Sequence, residues 1–98
     1  PRLDISMDSV KDFCSRWRVR EFSLFGSVLR DDFGPDSDVD VLVTFQDDAL
    51  CSLMEWGDMT DELRVIFGRE VDLVEKEGLR NPFRRRAILA SAEVLYAA

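Results

Sequence analysis

Apolar residues recur along this chain with two different periods, and the switches between them mark out its elements. Met7, Val10, Phe13, Cys14 and Trp17 fall at helical spacing, which predicts an amphipathic helix over roughly residues 7–17. Lys11, Asp12 and Arg16 occupy its far side. Arg20 to Phe25 is rich in β-formers and reads as a strand, broken by Gly26. Ser27 is placed to cap a short helix through Arg30 or Asp31. Gly34 and Pro35 mark a turn. From Asp38 the residues alternate: Val39, Val41, Val43 and Phe45 share one face, and Asp38, Asp40, Leu42 and Thr44 share the other. That pattern predicts a strand with an apolar side and an acidic entrance on the opposite side.

Helical spacing returns with Leu50, Leu53, Met54, Met59, Leu63, Ile66 and Phe67, with Gly57 as an irregularity and Gly68 as the stop. Glu70 to Glu75 reads as a third strand, ended by Gly78. Asn81-Pro82 starts a last helix, with proline at its first position and Phe83, Ala87, Ile88 and Leu89 as its inner side. Val94, Leu95 and Tyr96 suit a short extended piece. Trp17, Trp56, Phe67 and Phe83 read as core residues. The expected fold class is α/β (α+β): a small mixed sheet of three to four strands flanked by about four helices.

Composition narrows this picture. The chain has 98 residues, which suits one domain over 1–98. It opens at Pro1, so removal of an initiator methionine is expected. No run of eighteen apolar residues predicts a membrane helix, and no basic-then-apolar leader predicts secretion. Cys14 and Cys51 lie in apolar stretches without metal-type spacing, so buried thiols in a reducing cytoplasm are expected before a disulfide. Net charge is −7, which disfavours a broad grip on nucleic acid and favours a basic protein partner or a small substrate carried by metal. The chain has no histidine, which excludes imidazole base catalysis and His-ligated zinc.

The candidate chemistry lies in carboxylates. Thirteen of the residues are aspartate, so an isolated D-x-D triplet carries little weight, and Asp36 and Asp38 form another. Asp38 and Asp40 differ by opening an apolar strand. Residues two apart on a strand point the same way, with Cα atoms about 6.5–7 Å apart. Two such carboxylates repel unless a cation intervenes, and hard oxygen ligands select Mg²⁺ or Mn²⁺. Asp72 interrupts an otherwise apolar strand and joins the same site if its strand pairs beside the first. Gly26-Ser27 stands at a strand-to-helix turn ten residues before this strand. There glycine lets the backbone approach a phosphate, and a helix N-terminus offers N–H groups.

Gly26-Ser27, ten residues, then Asp38-Val39-Asp40 resembles the signature of the DNA polymerase β-like nucleotidyltransferase superfamily. The string FGSVLRDDFGPDSDVDVLVTF is similar to its compact branch, the minimal nucleotidyltransferases (MNT), and the likeness covers nearly the whole chain. The resemblance implies the nucleotidyltransferase fold, with Asp38, Asp40 and Asp72 as metal-binding catalytic acids. It implies Gly26, Ser27, Arg30 and Ser37 as nucleotide contacts. It also implies transfer of AMP from ATP onto a protein hydroxyl, a tyrosine of a cognate HEPN-domain RNase toxin, by a type VII-like antitoxin. Val28 stands where a second arginine is common, and Asp31 where glycine is common, which weakens the local positive charge.

Two other readings stay open beside the one the resemblance implies: an antitoxin acting by binding only, and an adenylyltransferase for a small molecule. A polymerase is disfavoured by charge. Homo- and hetero-oligomers are both compatible with the sequence. Arg84, Arg85 and Arg86 form the strongest basic run. They read as a solvated helix face or as a contact to triphosphate or to toxin-associated RNA.

Overall fold

The computed structural model describes residues 5–26, 34, 37–46 and 52–98. Ser6 caps the first helix, α1 (Met7–Trp17), by accepting a hydrogen bond from the Ser9 amide. Val10, Phe13 and Cys14 form its buried stripe. The helix ends at Arg18 in the left-handed region, and the chain turns directly into β1 (Val19–Phe25). β2 (Val39–Phe45) pairs antiparallel with β1, and β3 (Val71–Glu75) pairs parallel with β2. Between them runs α2 (Leu53–Phe67), opened by a reciprocal capping box of Ser52 and Glu55 and closed at Gly68 (φ 67°). A 3₁₀ turn (Lys76–Gly78), α3 (Pro82–Ser91) and β4 (Glu93–Ala97) follow. β4 pairs antiparallel with β1, which gives a mixed sheet in the order β3-β2-β1-β4.

The alternation of each strand sorts its residues onto two faces. Val19, Phe22 and Leu24 of β1, Val39, Val41 and Val43 of β2, and Val71 and Leu73 of β3 pack beneath α1 and α2. Phe13 meets Phe22 edge-on with ring centroids 6.0 Å apart. Each such fully buried large side chain contributes about 1.5–3 kcal/mol. Phe25 and Leu42 face the other way and pack with Leu79 and Ile88 of the α3 side. Arg16 and the Trp17 indole both hydrogen-bond to the Glu62 carboxylate, the indole at 2.8 Å, which ties α1 to α2.

Several expectations meet the structure differently. Beyond the acidic entrance, the same face of β2 is covered: Leu42 is buried in the second cluster, and Thr44 is buried as well. Met59, Leu63 and Phe67 set the phase of α2. On that phase Met54 falls on the far side and Leu53 at the margin, so both are exposed. Of the four inner positions expected in α3, only Ile88 is buried; Phe83 is 82% exposed. The helix docks through Ile88, one turn and more beyond Phe83, so its first turn projects past the packed region. Phe83 is therefore not a core residue. Three α-helices are described; the short helix expected after Ser27 lies outside the described residues, as does Cys51. Cys14 is a free, buried thiol whose pKa is pushed up to about 12 by burial. Among the described residues no helix is long and apolar enough to cross a membrane.

Candidate active site

The site follows from how three strand ends meet. β1 runs antiparallel to β2, and β2 parallel to β3. The last residue of β1 therefore lies beside the first residues of β2 and β3. In register, Phe25 is the partner of Asp40, and Asp40 is the partner of Asp72. Partnered residues on neighbouring strands project to the same face, about 4.8 Å apart. Asp40 and Asp72 thus stand side by side, Asp40 half-buried and Asp72 exposed. Asp38 immediately precedes β2, two residues from Asp40, and is exposed.

Gly26 completes this corner. Its φ is +74°, where a side chain is strained, and a Cβ built there would lie 2.1 Å from Oδ2 of Asp40. The Asp40 carboxylate is therefore packed over the backbone of the turn that leaves β1. Any group bound by that turn and any ion held by that carboxylate would be near neighbours. The donor set, three carboxylates at one end of neighbouring strands with two exposed to solvent, fits a hard divalent cation. Among the described residues, however, no three acidic or cysteine side chains already converge as a preformed metal cage.

The approach to Asp38 is held by a residue that the sequence patterns did not single out. Arg69 lies between Gly68 and β3, and its Nη1 donates to the carbonyls of Gly34 (2.5 Å) and Ser37 (3.2 Å). The Gly34 amide also donates to the Ser37 hydroxyl at 3.1 Å. Val39 N–H donates to the Glu70 carbonyl at 2.9 Å. The segment before β3 thereby grips the segment before β2, so Asp72 and the Asp38–Asp40 pair are set by one network. An arginine after a helix-ending glycine carries no periodic or motif signal, which is why its role needed the folded chain. Arg69→Ala is expected to cost about 1–3 kcal/mol in urea unfolding, since it leaves two carbonyls without their charged donor. It is also expected to lower nucleotidyl transfer about 10-fold through misplacement of Asp38. An unchanged unfolding midpoint would show that the clamp is not formed.

Known proteins resemble this chain over most of its length. The nucleotidyltransferase domain family matches residues 7–95. The protein adenylyltransferase MntA of Thermococcus cleftensis is 35% identical over 86 residues, covering 88% of this chain and 82% of that protein. The chain belongs to the nucleotidyltransferase family, in its minimal branch. This minimal nucleotidyltransferase superposes on a solved structure classed with the same branch at a TM-score of 0.69, with 31% identity over 89% of this chain and 86% of the other. It also shares its fold with an MNT antitoxin solved in complex with the tri-AMPylated HEPN toxin of Shewanella oneidensis. That match has a TM-score of 0.67 and 15% identity, and covers 94% of this chain and 70% of that one. The protein is an enzyme of the nucleotidyltransferase class. Ser27, Arg30, Val28 and Asp31 of the motif lie outside the described residues.

Proposed function

We propose that this nucleotidyltransferase transfers AMP from ATP onto a tyrosine hydroxyl of a cognate HEPN toxin in the cytoplasm, and so acts as that toxin's antitoxin. The observation that carries the proposal is the register of Asp40 beside Asp72, with Gly26 folded against Asp40. Support for the acceptor comes from the adenylyltransferase relative and from the AMPylated toxin in the structural neighbour. We read residues 1–98 as one such domain.

In this reading Asp38, Asp40 and Asp72 hold Mg²⁺ or Mn²⁺, which when bound neutralises charge on the attacking and leaving oxygens. The turn at Gly26 brings backbone close to the triphosphate. Ser27, Arg30 and Ser37 complete the nucleotide contacts that the family signature implies. Asp72, exposed at the start of an outer strand, orients the acceptor hydroxyl and takes up its proton. The hydroxyl oxygen forms a bond to the α-phosphorus as the bond to the bridging oxygen breaks and pyrophosphate leaves. Such chemistry is mostly positioning and electrostatics, which a rigid corner of three strand ends supplies.

The direct test is to incubate the enzyme with its HEPN-domain partner, ATP and Mg²⁺ and to measure intact masses. A gain of adenylyl groups on the partner, lost when the acceptor tyrosine is replaced by phenylalanine, is the expected result. A toxin neutralised without any gain in mass would replace transfer by binding alone.

A further inference from the structure

The outer edge of β3 carries main-chain groups that the sheet leaves unused. In the parallel ladder with β2, the Val39 amide donates to the Glu70 carbonyl at 2.9 Å. Successive residues of a strand turn their N–H and C=O groups to opposite sides. Those of Asp72 and Val74 therefore face β2, and those of Val71, Leu73 and Glu75 face outward. β3 is an outer strand, and among the described residues no backbone hydrogen bond reaches this edge. The other outer strand, β4, is less suited to a further partner, because its register with β1 slips between Phe22 and Ser23.

A trough of about 430 Å³ follows the same edge. Its lining includes three consecutive residues, Leu73, Val74 and Glu75. Consecutive side chains face opposite sides of a sheet, so a trough that touches all three runs round the edge and not over one face. Trp56, on one bank, packs on the cluster that holds Leu73. Leu79, on the other, belongs to the cluster on which Val74 packs. The two charged residues in the lining, Glu75 and Arg84, have opposite signs, so the trough favours neither an acidic nor a basic ligand. Outward main-chain groups between two apolar banks are what an added strand uses: backbone bonds hold it, and its alternate side chains fill the banks.

We propose that the acceptor protein docks by adding an extended segment to the edge of β3, with its tyrosine opposite Asp72. Partnered residues project to the same face about 4.8 Å apart, as Asp40 and Asp72 already do. The tyrosine would extend that row by one strand and stand next to the carboxylate that takes up its proton. On the added strand, the residue beside the tyrosine lies against Leu73 on the α2 bank. The next but one lies against Val74 and Leu79. Recognition thus rests on backbone bonds and on apolar neighbours of the tyrosine, not on net charge. The inference rests on the protein-acceptor reading above and gives the acceptor its local shape.

A peptide with valine and then leucine on both sides of its tyrosine, ended by serines, suits either strand direction and tests this. Binding is read by fluorescence anisotropy, and transfer by label incorporated from ATP with Mg²⁺. In either direction only alternate amides of an added strand face β3. One peptide is N-methylated at the tyrosine amide and a second at the amide of the following residue. Affinity and kcat/KM are expected to fall about 10-fold in only one of the two. Replacing the end serines by glutamate or by lysine is expected to change either quantity by less than about 2-fold. Glu75→Pro removes an outward N–H at an edge position with a φ of −90°, close to proline's own, so the ladder to β2 is kept. It is expected to raise the peptide KM about 10-fold and to leave kcat and the KM for ATP unchanged. Glu75→Ala, which keeps the N–H, is expected to stay near wild type. Loss in both methylated peptides, or in neither, would overturn the proposal, as would a folded Glu75→Pro enzyme with unaltered peptide KM. A wild-type dimer that Glu75→Pro dissolves would assign the edge to a second copy and overturn it too. If Glu75→Pro does not fold, the methylated peptides decide alone. A wild-type enzyme that binds only one of the methylated peptides well, yet modifies no peptide or protein, would sink the transfer reading and leave docking standing. Unimpaired transfer to the HEPN-domain partner by folded Glu75→Pro would do the reverse.

Discussion

Asp40→Asn is expected to reduce nucleotidyl transfer by at least about 10³-fold, or about 4 kcal/mol in transition-state stabilisation, with the fold unchanged. Asparagine keeps the shape of the side chain, so packing over Gly26 survives. What is lost is one negative charge at the point where Asp40 stands in register with Asp72. Removing it relieves repulsion between neighbouring carboxylates, so thermal stability should hold or rise slightly. Cation affinity should fall, because a neutral amide is a weaker ligand for a hard ion. Label transfer from ATP, with melting followed in parallel, checks both halves. Asp8→Asn, on exposed α1 surface, serves as the control and should leave activity unchanged. Full activity in Asp40→Asn would remove the metal-binding corner from the mechanism. Neutralisation of the toxin by an Asp38/Asp40 double variant as well as by wild type would favour an antitoxin that works by occupancy.

The second large effect is at Gly26, where Ala should be damaging twice over. A methyl group there would sit 2.1 Å from the Asp40 carboxylate oxygen, far inside contact distance, and at a φ of +74° that L-residues resist. Together these are expected to cost about 2–4 kcal/mol in unfolding free energy. Relief of the clash requires Asp40 to swing away, and a misplacement of about 1 Å in such a site lowers turnover about 10²-fold. Denaturant unfolding and single-turnover transfer measure the two effects separately. Gly57→Ala is an instructive contrast, because a Cβ there meets nothing within 4 Å and the residue lies within α2. It should stabilise the protein by about 0.5–1 kcal/mol. If Gly26→Ala behaves like Gly57→Ala, the close approach of turn and carboxylate is not present in solution.

These two positions also show how unevenly the site could be read before folding. Asp38 and Asp40 were legible because alternation is local: a strand of period two aims both acids at one face whatever surrounds it. Gly26 stood out as a break after a run of β-formers. That its missing side chain makes room for Asp40 is a contact between residues fourteen apart, brought together by antiparallel pairing. Asp72 was a candidate only on condition that β3 lay beside β2. The parallel register from Val39–Val71 to Val43–Glu75 meets that condition.

Phe83, read as a core residue, is exposed, and so are Leu53 and Met54, which the helical spacing correctly placed in a helix. Burial, however, depends on where each helix meets the sheet, and that is not encoded in a single helix's spacing. α2 is phased by Met59, Leu63 and Phe67, and α3 docks by Ile88, so the first turns of both helices stand clear. Leu53 and Trp56 of α2 and Arg84 of α3 line a trough beside β3, together with Leu73, Glu75 and Leu79. Leu53 thus lies on the rim of that surface, and Phe83 stands exposed at the start of α3.

The sequence by itself determined the kind and order of the elements, the acid pair on β2 and the glycine break before it, because helix and strand periods, caps and breakers act over a few residues. Only the tertiary structure decided that Asp72 stands next to Asp40, that Arg69 ties together the entries to both strands, and that Arg84 of α3 shares a trough with Glu75 of β3. These depend on strand order and helix docking, which long-range packing selects from several arrangements that the local patterns allow equally well.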